Sequence, residues 1–202
     1  AGAFGSPCGN QCLGDARVVE RSFVPNTSAD GRWLINKVAS ERTFGTEDGT
    51  GLFAEKLHHY DGADFVGLPV GQLTQGKLSR VVTRVDDGKS IETQRLAFDT
   101  HGNAIQEDSP LGAPGGDTHR REFTYDEDGL RVVQTDILNV SPEGTPYRLR
   151  RSYQYDQLFD KVVLSSAWMR VEGGVAQTAP DPTAYTYDAF ARVDSMLLPG
   201  GD

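Results

Sequence analysis

The sequence predicts an all-β fold of consecutive antiparallel β-hairpins. Three observations carry this: β-rich runs separated by turn clusters at short intervals, 23 glycines in 202 residues, and, in the second half, no apolar stripe at helical spacing lasting three turns. Without helices to cover a sheet, an α/β layering is excluded. A hydrophobic fraction of 37% suits turn-rich strands with much exposed surface.

The first twenty residues, to Val19 and a little beyond, are rich in Gly, Pro and small polar residues and read as an extended lead-in. The bulky and β-branched run Arg32 to Val38, entered by Ala29-Asp30-Gly31, predicts a first strand. Gly45 to Gly51 is a turn cluster. Leu52 to Tyr60, stopped by Asp61-Gly62, is strand or irregular. Leu78 to Val85 and Ile91 to Phe98 flank Asp86-Asp87-Gly88-Lys89, and Asp-Gly between β-rich arms predicts a hairpin because such a turn needs positive φ. Further arms run Glu122 to Tyr125, Arg131 to Asn139, Tyr147 to Tyr155, Lys161 to Val171 and Val175 to Thr178. Their turns are Asp126-Glu127-Asp128-Gly129, Ser141-Pro142-Glu143-Gly144 and Gly173-Gly174. The chain therefore divides into a lead-in over 1–56, a connector over 57–77 and a hairpin array over 78–202. It begins at Ala1, which reads as a segment cut from a longer polypeptide.

A net charge of −9 and a pI near 4.9 oppose binding to nucleic acid or an anionic membrane. Arg148, Arg150 and Arg151 form a local basic cluster, but they alternate with Tyr147, Leu149 and Ser152 across both strand faces and read as a solvated strand. No apolar run approaches the roughly 20 residues that span a bilayer. Cys8 and Cys12 could close a local disulfide or stay as two thiols. A metal site needs further ligands, and of His58, His59, His101 and His119 only His58-His59 lie close in sequence, pointing to opposite faces of a strand.

Motifs for chemistry are missing. Gly88-Lys89-Ser90 lacks the upstream glycine of a phosphate loop, which falls at Thr83. Asp126-Glu127-Asp128-Gly129 imitates a calcium loop whose closing glutamate falls at Ile137. The expectation is no catalytic, cofactor-binding or metal residue and no enzyme.

An aromatic-Asp step recurs four times: Leu96-Ala97-Phe98-Asp99, Phe123-Thr124-Tyr125-Asp126, Tyr153-Gln154-Tyr155-Asp156 and Tyr185-Thr186-Tyr187-Asp188. The Asp-to-Asp steps of 27, 30 and 32 residues each hold about two strands with their turns. In each unit two apolar or aromatic residues share a strand face, and the aspartate ends the strand as an Asx-turn former. Gly102 and Gly129 supply a left-handed position three residues on. At that position the third and fourth units carry Phe159 and Ala191, which predicts reshaped turns there. Stacked units would align buried aromatics across neighbouring strands.

These steps resemble the YD repeat of the Rhs family, an aromatic-x-Tyr-Asp-x-x-Gly core followed by Arg or Asn. The upstream stretch from Tyr60-Asp61-Gly62 to Gly71-Gln72 resembles a segment ahead of the YD repeats in B components of insecticidal toxin complexes and SpvB-like proteins. The resemblance implies a curved YD-repeat sheet, a segment of a secreted β-shell that encloses a C-terminal toxic segment. The implied partners are further YD-repeat segments, toxin-complex subunits and the enclosed segment. An isolated piece has open edges and is expected to dimerise edge to edge. The competing reading is a carbohydrate- or cell-surface-binding β module with Trp33, Trp168 and Tyr147 as its platform. Their packing reading is burial.

Overall fold

The computed structural model describes residues 17–25, 34–45, 51–85, 89–177 and 181–200. Cys8, Cys12, Trp33 and Asp86-Asp87-Gly88 lie outside them. Among the described residues the chain is all-β, with fourteen strands in an antiparallel meander, and no helix is long and apolar enough to cross a membrane. The chain divides into two compact units, 1–95 and 96–202.

In the first unit β1 (Val18–Phe23), β2 (Val38–Phe44), β3 (Leu52–Tyr60), β4 (Leu78–Val85) and β5 (Ser90–Phe98) pair in chain order, each antiparallel to the next. The last residues of β5 belong to the second unit. That unit continues with β6 (Ala104–Asp108), β7 (Arg120–Tyr125), β8 (Val132–Val140), β9 (Pro146–Tyr155), β10 (Val162–Ser165), β11 (Met169–Glu172), β12 (Val175–Ala176), β13 (Thr183–Tyr187) and β14 (Val193–Leu197). Its order is β6-β7-β8-β9-β10-β13-β14. β9 is shared: Arg148, Leu149 and Arg150 pair with β11, whereas Tyr153, Gln154 and Tyr155 pair with β10. Among the described residues the strands form one open sheet, with β1 paired only to β2 and β14 only to β13.

Most arms read from sequence become strands; β1 and β14 form outside any expected arm, and three further differences stand out. Lys161 to Val171 is not one strand. It breaks at Ser166, whose N–H donates to the Ser152 carbonyl at 3.0 Å and whose hydroxyl accepts the Ser152 N–H at 2.9 Å; those bonds occupy the backbone at Ser152 and hand the rest of β9 to a second partner. The described part of Arg32 to Val38 does not form the expected strand either. Its described residues 34–37 lie outside any strand, Asn36 sits at φ 63°, and β2 starts only at Val38. Asparagine tolerates the left-handed region that β-branched residues avoid, so it stops extension there. Finally, Ala104-Ile105-Gln106-Glu107-Asp108 pairs as β6 despite its single β-branched residue.

The interior differs from the expected aromatic rows. Among the described residues the buried set has six apolar members and eight polar ones, including Glu55, Asp61, Arg95, Asp108 and Asp136. Polar pairing therefore takes much of the role of a core. The one apolar cluster joins Val24, Ala39 and Tyr60, with Leu73 and Leu78 against it. The repeat aromatics Phe123, Tyr125, Tyr153, Tyr155, Tyr185 and Tyr187 are half-buried, because single-layer sheets offer them no second layer.

Candidate functional site

What the repeats build is a ladder of latches. Tyr125 Oη donates to the Ala104 carbonyl at 3.1 Å, Tyr155 Oη to Val132 at 2.9 Å and Tyr187 Oη to Val162 at 2.8 Å. In each case the tyrosine ends one strand and the acceptor begins the strand beside it. Each acceptor also follows directly on the preceding repeat's turn. Each of these three repeats thus fastens its own strand end to the strand start that follows the preceding turn. Sequence reading found the tyrosines but assigned them to packing; the hydroxyl, absent in Phe98 of the first repeat, is what distinguishes Tyr in this position. Tyr155→Phe is expected to cost about 1 kcal/mol, the net worth of one such bond, measured by urea unfolding.

The aspartates do what was expected of turn formers. Asp99 Oδ1 accepts the N–H of His101 and of Asn103, both at 2.8 Å. Asp126 Oδ1 accepts from Leu130 and Arg131, Asp156 from Leu158 and Phe159, and Asp188 from Phe190 and Arg192. Each turn closes by the aspartate N–H donating to the carbonyl just ahead of the next strand, at Asn103, Arg131, Lys161 or Arg192.

Neighbouring turns are tied as well. Asn103 Nδ2 donates to the Gly129 carbonyl at 2.8 Å, and Arg131 pairs with Asp160 while standing over the Tyr155 ring at 5.9 Å.

The two turns without glycine take different routes. Ala191 keeps the left-handed position at φ 58°, with its N–H on the Asp188 carbonyl as in the first two repeats. The third turn moves the position one residue on, to Asp160 at φ 60°, and closes from Asp160 N–H to the Asp156 carbonyl. A phenylalanine at Phe159 is thereby spared positive φ. Since a non-glycine residue pays roughly 1–2 kcal/mol in that region, Ala191→Gly is expected to stabilise by about 1 kcal/mol, read as a raised urea midpoint.

Tyr60-Asp61, within the connector expected from sequence, is a fourth instance of the latch. Tyr60 Oη donates to the Val38 carbonyl at 2.9 Å, from the end of β3 to the start of β2. Asp61 N–H meets the Lys77 carbonyl, closing a turn enlarged to residues 61–77. The carboxylate accepts the N–H groups of Thr74, Gln75 and Gly76 on Oδ2 and of Lys77 on Oδ1, at 2.6–2.9 Å. Its signal was the Tyr-Asp pair itself, hidden by the long loop that follows.

One face of the second unit carries a charged row. Gln106, Glu122, Asp136 and Arg150 stand opposite one another across β6 to β9. Asp136, 2% exposed, accepts from Arg150 Nε and Nη2 and from Arg148 Nη1, all at 2.9 Å. Arg148 also reaches Glu122 at 3.3 Å, and Arg120 pairs with Glu122. Asp108 beside them takes Gln106 Nε2 and Gly115 N–H at 2.7 Å. Arg148 and Arg150 are therefore internal counter-ions, not the solvated cluster expected from alternation. Arg151 points to the other face and donates to buried Ser165.

Several carboxyls sit below their ordinary range. Burial raises Asp61, but its four backbone donors outweigh that and leave it lowered. The backbone N–H of Leu130 is the main cause at Asp126, and the Arg192 side chain at Asp188; at Asp99 burial is outweighed by Asn103 and His101. A carboxyl lowered by folding stabilises fully above its unfolded value near 4 and loses that contribution as pH falls through the folded value. The urea midpoint is thus expected to fall steeply below about pH 4. His58, lowered by burial, has the opposite charge type: the fold favours its neutral ring, so it subtracts stability as pH drops below about 6.5.

Of the candidate platform residues, Trp168 lies in the break between β10 and β11 and is 41% exposed, which corrects its expected burial, and Tyr147 is half-buried in β9. Among the described residues no three metal-ligating side chains converge. No family model matches the chain, and no curated protein matches it.

Proposed function

We propose that this chain is a wall segment of a secreted Rhs/YD-repeat toxin-delivery protein, one stretch of a β-shell that surrounds a C-terminal toxic segment. The observation that supports it is the recurrence of one device, a tyrosine latched to the strand beside it and an aspartate closing the following turn, in three repeats of the second unit and again at Tyr60-Asp61. Such an array grows by adding units, each stabilised by its neighbours. In this reading the open antiparallel sheet serves as wall and not as chamber, and the partners are further repeat segments of the same polypeptide, toxin-complex subunits and the enclosed segment. Unpaired strand edges also make edge-to-edge dimers of the isolated chain part of it.

The reading is tested on the encoding reading frame. A long run of Tyr-Asp units at this spacing, ending in a variable tail, is expected on its two sides; unrelated domains directly abutting the segment contradict it. The exposure of Trp168 favours the second reading, a glycan- or cell-surface-binding module. A glycan array with hits that vanish in Trp168→Ala would replace the first reading with this one.

A further inference from the structure

The four latches follow one register rule. Tyr60 Oη ends on Val38, Tyr125 on Ala104, Tyr155 on Val132 and Tyr187 on Val162, and each acceptor is the first residue of its strand. Ser40 stands opposite Leu57, Gln106 opposite Glu122, Gln134 opposite Ser152 and Leu164 opposite Ala184. Stepping two residues back on the first strand of each pair and two forward on the second sets every acceptor opposite the residue just before its tyrosine: His59, Thr124, Gln154 and Thr186.

Val193 holds the acceptor's place in the last hairpin. It is the first residue of β14, follows the Asp188 turn, and pairs with Tyr187 as Val132 pairs with Tyr125 and Val162 with Tyr155. None of the four latches ends on it. The strand around it is bare. All of β14 is exposed, whereas β6, β8 and β10, which hold the same place in their repeats, bury Asp108, Asp136 and Ser165 between two neighbouring strands. Beyond β14 the chain bends at Pro199-Gly200, with Gly200 at φ 67°, as it bends after β8 at Pro142 and Gly144, φ 83°.

We infer that the free edge of β14 seats one further repeat strand of the aromatic-x-Tyr-Asp kind, whose tyrosine hydroxyl donates to the Val193 carbonyl and whose residue x stands opposite Val193. This rests on the wall-segment reading and names its next contact. Backbone pairing alone gives an open edge some affinity for any extended strand. The latch adds selection, because a tyrosine brings a hydroxyl donor to the carbonyl and a phenylalanine or an aliphatic residue does not. A second copy of the chain does not meet the requirement: neither of its end strands, β1 and β14, contains a tyrosine.

The test extends the whole chain after Asp202 with a copy of residues 182–197. Residues 198–202 then form a connection as long as 141–145 between β8 and β9, and Pro182 of the copy falls opposite Leu197 as Pro146 falls opposite Val140. Native-state hydrogen exchange is followed at a dilution that keeps the chain monomeric. The β14 amides are expected to gain roughly tenfold protection over the parent, with β1 to β4 unchanged. With Tyr187→Phe in the copy alone, protection is expected to fall back by about fivefold, the worth of one hydrogen bond. Unchanged β14 protection in the extended chain overturns the proposal. So does a Phe copy that protects as well as the Tyr copy, which is strand addition without a latch. Either result, obtained where Tyr-Asp units do flank the segment in the reading frame, overturns the edge assignment and leaves the wall reading standing.

Discussion

Replacing Asp136 by alanine is expected to destabilise the second unit by about 3 kcal/mol, the lower end of what removing one partner of a buried ion pair costs. The carboxylate is almost fully buried and is the common acceptor for Arg148 and Arg150. Its loss strands two guanidiniums among side chains that cannot hydrate them fully. The arginines themselves are about a quarter to a third exposed, which lets water reach part of each and keeps the loss from the top of the range. Exchanging all three together, Asp136→Leu with Arg148→Leu and Arg150→Met, is expected to be nearly neutral, since no unpaired charge remains. Urea unfolding of both variants separates the two cases; equal, large losses would show that the acidic row matters by its charge pairing itself and not through the stranded partners.

Asp61→Ala is expected to cost about 3–4 kcal/mol in the first unit. Four backbone donors converge on this side chain, and hydrogen bonds to a charged acceptor are worth roughly 1.5–3 kcal/mol each, although their sum is limited by relaxation of the loop. The neighbouring apolar cluster of Val24, Ala39 and Tyr60 includes Leu73 from the same loop, so loosening residues 74–77 uncovers part of the small apolar core. Asp61→Asn is expected to lose less, about half, because one oxygen still accepts while the amide opposes the remaining donors. As the chain has two units, unfolding is followed by probes in each, and the loss is expected to be confined to 1–95.

How much of this is legible in the sequence follows from which forces are local. Strand existence in the array was read well, because Asp-Gly turns and alternating β-formers are properties of four to eight adjacent residues; Leu78 to Val85 pairs as β4 with those bounds. The aspartates were also read correctly, since an Asx-turn involves only the next few residues. β6 and the split of Lys161 to Val171 were not legible, since one rests on pairing with β7 and the other on Ser166 meeting Ser152 fourteen residues away. The tyrosine latches needed register: nothing in Phe123-Thr124-Tyr125 states that its hydroxyl will meet Ala104. The most misleading inference was from aromatic periodicity to a buried aromatic core. Spacing tells which residues share a face, but whether that face is covered depends on a second layer, and the described strands all lie in one open sheet. Asp136 and Asp108 were invisible as buried groups for the same reason, each being one of 29 acidic residues until strand register sets its partners.

Local fastening between successive repeats, in place of a shared apolar core, is tested most directly by native-state hydrogen exchange on Tyr155→Phe. Protection is expected to drop in β8 and β9, which that hydroxyl ties together, and to stay at parental levels in β1 to β4. A uniform loss over both units, or no loss anywhere, contradicts it.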